Sequence, residues 1–275
     1  MKIFITKFSA LLFILFYTIS IEAQEFQGKA YYFSKTPMEL GRWGAKMSEQ
    51  QKKQVEARLK NRLEKTYVLT FNKQESMYKE DEKLDAISGA TDSWGKNFTP
   101  GNQYKNIKTN TFIQNQEFYG KKFLVKDSLQ PIDWKMGSET KTIGKYTCFK
   151  ATALLPKYQL SWYSFSWGQL RNNTANSNDE NNNSEVEMVE VEAWYTLQIP
   201  ISQGPGEYWG LPGLILEVSE GNTTILCSKI VMNPKEKANI KVPEKGENVT
   251  RKEYKEIITK KMTEFRENRG RRRRQ

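Results

Sequence analysis

Gly210-Leu211-Pro212-Gly213-Leu214-Ile215-Leu216-Glu217-Val218 sets two glycines and a proline directly before a five-residue strand signal. Gly210 and Gly213 permit positive φ or a close backbone approach, and Pro212 fixes φ while withholding a donor. The motif therefore reads as a turn that delivers the chain into a core strand. Leu214, Leu216 and Val218 fall on one face of that strand and Ile215 on the other, which predicts burial over most of its surface. Glu220-Gly221-Asn222-Thr223 then reverses the chain. With Gly221-Asn222 as a two-residue loop, Val218 is expected opposite Ile225 and Leu216 opposite Cys227.

Short strand signals recur outward from this hairpin. Phe26 to Phe33, Tyr67 to Phe71 continuing through Ser76 to Tyr78, Ile107 to Ile113, Phe123 to Val125, Ile132 to Trp134, Ile143 to Ala151 and Val186 to Leu197 all carry apolar or aromatic bulk between polar turns. Phe118-Tyr119-Gly120 marks a further turn. Two helices are expected. Ser48-Glu49-Gln50-Gln51 is a capping box opening a helix near 48–65 with a narrow Val55, Leu59, Leu63 stripe, and Thr250-Arg251-Lys252-Glu253 opens another near 250–268 with Tyr254, Ile257, Ile258, Met262 and Phe265 on its docking face. Too few helices are present to supply the crossovers of a parallel sheet. The expectation is an α+β, mainly β protein built on one antiparallel, strongly curved sheet.

The chain of 275 residues opens with Lys2 and Lys7, an apolar run from Phe8 to Ile21 and Ala23 before Gln24. An apolar run of about 14 residues falls short of the roughly 20 that cross a bilayer, so residues 1–23 read as a removable signal peptide. No Cys stands near that point to carry a lipid anchor. Residues 24–268 then form a single β-rich domain, and 269–275 form a basic disordered tail. The expected location is the periplasm or the outer-membrane periphery.

The formal net charge is +11, and six arginines lie between Arg266 and Gln275. Such a tail is a candidate contact for anionic lipid, lipopolysaccharide or an acidic partner. An exported chain without a recognisable binding module is not expected to meet nucleic acid.

Histidine is absent. That removes Ser-His-Asp and Cys-His nucleophiles and every His-based zinc site. Asp81, Glu82, Asp85 and Asp92 match no calcium-loop spacing, so neither metal nor cofactor is expected. Carboxylates or a Ser/Lys arrangement leave a peptidase-like hydrolase open, with Asp133, Glu207 and Glu217 the acidic residues beside the main motifs. Cys148 and Cys227, the two cysteines, form either a disulfide in an oxidising compartment or two buried thiols. Trp162, Tyr163, Phe165 and Trp167 precede an asparagine-rich stretch, Asn172 to Ser184, that has little to bury. In extended form the run cannot hide all its rings on one face, so it is either a binding patch or a cover over the end of the sheet.

Gly210-Leu211-Pro212-Gly213-Leu214-Ile215 resembles the motif of the GLPGLI family. Gly120 to Asp127, Trp134, Ile143 to Ala151, Ala193-Trp194-Tyr195-Thr196, Ile199-Pro200 and Gly204-Pro205 support the likeness, in order along the chain. The resemblance implies an exported, β-rich envelope protein of Bacteroidetes-type bacteria, often encoded beside TonB-dependent outer-membrane transporters, with no catalytic activity to carry over. Together these readings point to a non-enzymatic envelope binding or accessory protein. A carrier of hydrophobic ligand on a half-open sheet is the remaining alternative.

Overall fold

The computed structural model describes residues 26–37, 44–81, 100–157, 187–235 and 240–272. Twelve strands and two helices follow in order. They are β1 (Gln27–Lys35), α1 (Glu49–Leu63), β2 (Glu64–Asn72), β3 (Glu75–Glu80), β4 (Gln103–Asn106), β5 (Thr111–Phe118), β6 (Lys121–Ser128), β7 (Lys135–Ile143), β8 (Tyr146–Pro156), β9 (Met188–Thr196), β10 (Leu214–Glu220), β11 (Thr223–Met232), β12 (Glu247–Val249) and α2 (Arg251–Arg272).

All twelve strands belong to one sheet, ordered β12-β6-β5-β4-β3-β2-β1-β11-β10-β9-β8-β7. β1 lies in the middle. From it, β2 to β6 meander outward on one side, and β7 to β11 begin at the far edge and meander back to β1. Every neighbouring pair is antiparallel except β12 beside β6. The protein is thus mainly β on a single sheet, but the strong curvature expected of it does not develop. The sheet stays open, with β7 and β12 as its edges. Its apolar side chains are covered by other segments, so burial does not require the sheet to fold onto itself. α2 packs Tyr254, Ile258 and Met262 against Phe112, Phe123 and Val125, and Tyr208 and Leu211 pack against Val191, Tyr195 and Val218.

Both capping boxes form. Ser48 Oγ accepts from Gln51 N while Gln51 Oε1 accepts from Ser48 N, and Thr250 and Glu253 exchange the same bonds. α2 continues to Arg272, beyond the Asn268 end read from the sequence, because arginine is itself a good helix former. Among the described residues no helix is long and apolar enough to cross a membrane.

Several strand limits differ from expectation, each for a local reason. Ser76 to Tyr78 does not prolong β2. Asn72 Oδ1 accepts from Gln74 N and Glu75 N, which turns the chain back as β3. Ile107 lies in a turn, not a strand: Asn106 Oδ1 accepts from Lys108 N and Thr109 N, and Asn110 takes φ 52°. Gly144, at φ 60°, splits the Ile143 to Ala151 run into the hairpin of β7 and β8. Ile132 to Trp134 is a connection, and β7 starts only at Lys135.

The Gly221-Asn222 hairpin forms with Val218 opposite Ile225. The Leu216–Cys227 pair does not. Leu216 is the extra residue of a bulge between Ile215 and Glu217, the β10–β11 ladder starts at Glu217↔Leu226, and Cys227 lies opposite Tyr32 of β1.

Candidate functional site

β9 and β10 are neighbours, yet the chain between them makes a long excursion, 197–213, instead of a tight turn. The Gly-Leu-Pro-Gly motif ends it. Gly210 has φ 96°, and a Cβ there would lie 3.8 Å from the Trp134 ring, while a Cβ on Gly213 would stand 2.1 Å from Thr196 O. Only glycine allows that approach, and it lets Leu211, Leu214 and Ile215 enter the core completely. Side chains from across the sheet then fasten the excursion. Ser76 Oγ donates to Gln203 Oε1 at 2.7 Å, Trp134 Nε1 to Trp209 O at 2.8 Å, and Trp209 Nε1 to Gln130 O at 2.9 Å. Tyr32 OH donates to Ile215 O at 2.6 Å.

Lys105 of β4 supplies the deepest fastening. Its ammonium donates to Gly204 O at 2.8 Å and Tyr208 O at 3.0 Å, with the side chain wholly buried. Burial pushes the amine down to about 7, against the opposing pull of the Glu207 charge.

Beneath the 206–208 part of this excursion lies a cavity of about 380 Å³. Tyr67, Tyr78, Phe112 and Tyr208 give it aromatic walls, and Leu129, Ile132, Leu155 and Ile225 add aliphatic ones. Tyr67 and Tyr78 stack at 4.8 Å. Polar groups interrupt the walls at Ser34, Thr36, Gln103, Gln130 and Thr223, and four charged residues reach it: Lys65, Glu207, Glu220 and Arg251. Lys65 pairs with Glu80 at 2.8 Å and Arg251 with Glu207 at 2.7 Å, while Tyr208 OH donates to Glu220 at 2.7 Å. Arg251 is the first residue of α2, and its guanidinium also lies 4.5 Å from the Phe112 ring.

A row of glutamines leads into the cavity. Gly101 N donates to Gln116 Oε1 at 3.1 Å, Gln114 Nε2 to the same oxygen at 2.8 Å, and Gln103 Nε2 to Gln114 Oε1 at 2.9 Å. All three side chains are buried, and Gln103, the last of them, is one of the residues that line the cavity.

The sequence-derived candidates scatter around this site. Trp162, Tyr163, Phe165 and Trp167 lie outside the described residues, as do 273–275 of the arginine tail and the 1–23 leader. Gly210 to Ile215 proves to be the structural end of the excursion. Glu207 reaches the cavity, but Glu217 pairs with Lys141 at 2.8 Å among the Trp194 and Cys148 side chains, and Asp133 is exposed; the three carboxylates do not converge. Among the described residues no group of three or more His, Cys, Asp or Glu is arranged to hold a metal ion.

Cys148 and Cys227 are free thiols here, buried in one cluster with Tyr32 and Leu216. Burial raises them to about 11 and about 12 respectively. Sequence reading missed Lys105, Gln103, Gln114, Gln116 and Arg251. Gln114 and Gln116 did carry a signal, since two glutamines two apart in a strand share a face.

No curated protein matches the chain. Two solved structures of PNGF-II, in the C2 and P21 space groups, are similar to it at 14% and 15% identity with TM-scores of 0.46 and 0.45. Each similarity covers 85% of this chain, which spans only about a third of theirs, 32% and 33%. Over residues 134–217, from Trp134 through the excursion and into β10, the chain is similar to a family described as "Protein of unknown function (Porph_ging)".

Proposed function

We propose that the chain is a non-enzymatic, exported binding protein of the cell envelope that holds a small ligand in the cavity under the 206–208 turn. The observation that carries this reading is the cavity itself. At about 380 Å³, with aromatic walls interrupted by a few hydrogen-bonding groups, it has the size and lining common to small-molecule sites. Glu207 and Glu220 are engaged by Arg251 and Tyr208, an arrangement that holds the wall in place and favours binding over hydrolysis. The charged and polar share of the lining argues against a purely hydrophobic cargo. Export is supported by the leader-like 1–23 segment, and work alongside an outer-membrane transporter by the GLPGLI resemblance.

Ser34, on β1 at the cavity wall, gives the test. A Ser34→Trp substitution places an indole in the cavity from the β1 side and leaves the sequence of the excursion unchanged. Native mass spectrometry of protein drawn from its own envelope is expected to show a retained small molecule with the wild type and none with Ser34→Trp, at similar melting temperatures. Equal retention by both, or none by either, overturns the reading. Recovery from cells of an intact Met1 terminus in place of Gln24 would overturn export alone.

A further inference from the structure

The geometry points to the turn of the β5–β6 hairpin, with the last two turns of α2 beside it, as a surface that docks on a lipid bilayer carrying anionic headgroups. This surface shares no residue with the cavity lining and stands independently of the binding reading above.

α2 runs the length of β5. It starts with the Arg251 guanidinium 4.5 Å from the ring of Phe112, near the first residue of that strand, and its seam to the sheet then falls at Tyr254, Ile258 and Met262, all buried. The same helical register continues through positions 265, 269 and 272, which are held by Phe265, Arg269 and Arg272. At Phe265 the strands have ended. Its ring meets Tyr119, in the hairpin turn itself, at 5.0 Å and is 42% exposed. The helix goes on from there to Arg272, about 10 Å further at the usual rise per residue.

Tyr119 and Gly120 are the two-residue loop of the hairpin, with φ 48° and 79°. Such a loop suits Asn-Gly, and a tyrosine there is held in a backbone state that L side chains disfavour. The turn itself does not require the ring. What the ring does is extend an apolar tip: it lies edge-on to Phe118 at 4.8 Å, packs against Phe265 and remains 46% exposed. A Cβ built on Gly120 would meet nothing within 4 Å, so the tip projects into open space.

Charge complementarity selects what meets it. Glu247 pairs with Lys121, Glu264 with Lys261, and Glu117 stands opposite Lys122 in the ladder. From Arg266 to Arg272 four arginines stand against one glutamate, which leaves the tip an excess of positive charge. Arginine pairs bidentately with phosphate oxygens. Exposed aromatic rings beside basic residues on a projecting tip match the boundary between headgroups and acyl chains. An acidic peptide would satisfy the arginines alone.

Flotation of protein drawn from its own envelope with lipid vesicles tests the inference. Vesicles of phosphatidylglycerol and phosphatidylcholine in equal parts are expected to carry the protein, and vesicles of phosphatidylcholine alone to leave it behind. Arg269→Gln, Arg271→Gln and Arg272→Gln together are expected to weaken binding about a hundredfold, the product of roughly fivefold for each charge. Tyr119→Gly suits the φ of the turn and is expected to weaken binding about tenfold with every charge in place. Phe265→Ser, beyond the buried part of the seam, gives the same reading should Tyr119→Gly not fold. Flotation by both kinds of vesicle alike, or by neither, overturns the inference. So does wild-type binding by the ring variants, which would reduce the contact to arginine charge, and so does tighter binding of polyglutamate than of the charged vesicles, which would assign the surface to an acidic protein.

Discussion

Gly213 and Gly221 are both turn glycines, and the structure separates what each is for. At Gly213 the space for a Cβ is taken by Thr196 O, a backbone atom that cannot swing aside. Gly213→Ala is therefore expected to cost about 3 kcal/mol or more in denaturant unfolding, at the upper end of overpacking effects. Gly221 has φ 53° with nothing within 4 Å, so Gly221→Ala is expected to lose only about 1 kcal/mol, the price of a left-handed alanine. Lys105 makes a pH prediction. Its folded value of about 7 lies below the ordinary 10.5, so between these pH values the unfolded chain binds the extra proton. Stability must then rise with pH from about 7 upward. The two cysteines act in the opposite sense, their thiols being raised from 9.0, but only once pH passes about 9. Urea midpoints taken between pH 7 and 8.5 are expected to climb in the wild type and to stay flat in Lys105→Met; a wild-type midpoint that falls over this range contradicts the assignment.

α1 and α2 were read from equally clear capping boxes, yet their packing differs. Among the described side chains of α1 none is buried, and Val55 and Leu59 are half-exposed, whereas α2 sinks Tyr254, Ile258 and Met262 completely. A cap and a narrow apolar stripe are local and legible; the depth of the groove that receives the stripe is a property of other strands. Amide exchange is expected to be fast throughout Glu49–Leu63, by local opening, and slow over Tyr254–Met262. Comparable protection in the two helices would show that α1 has a partner surface beyond the side chains described. The same distinction explains which strands were legible. β1, β2, β9 and the β10–β11 hairpin carry dense aromatic and β-branched runs, and the sequence located them closely. β4 did not announce itself, because Gln103-Tyr104-Lys105 looks like loop until the glutamine row and the Gly204 and Tyr208 carbonyls give its polar side chains partners. β12 is three residues long and gains its definition from β6 alone. The candidate site was hidden for the same reason: its members come from β1 to β5, from β8, β10 and β11, from the excursion and from α2, and their polar character makes sense only once they meet.

At the scale of the molecule, β1 joins two meanders that are far apart in sequence, and hydrogen bonds to the 197–213 excursion and the start of β10 join them again. Tyr32, Ser76 and Lys105 belong to the first meander, and all three spend their polar atoms on residues 203–215 of the second. Arg251 and Glu207 add a further tie, from α2 to the excursion. Neither meander can bury these groups alone. A fragment ending at Ser128 would retain β1 to β6 but leave the Lys105 ammonium facing an apolar layer without its two carbonyls, and would leave the α2 side of Phe112 and Phe123 bare. Calorimetry of the whole chain is accordingly expected to show one transition with a calorimetric enthalpy equal to the van't Hoff enthalpy, and the 24–128 fragment to show no cooperative transition. Two resolved peaks, or a fragment that melts on its own, would mean that the ties through Lys105 and Tyr32 are incidental to the fold. The cavity depends on the same ties. Because its walls come from both meanders and its roof from the excursion, a ligand held there is expected to raise the temperature of that single transition without dividing it.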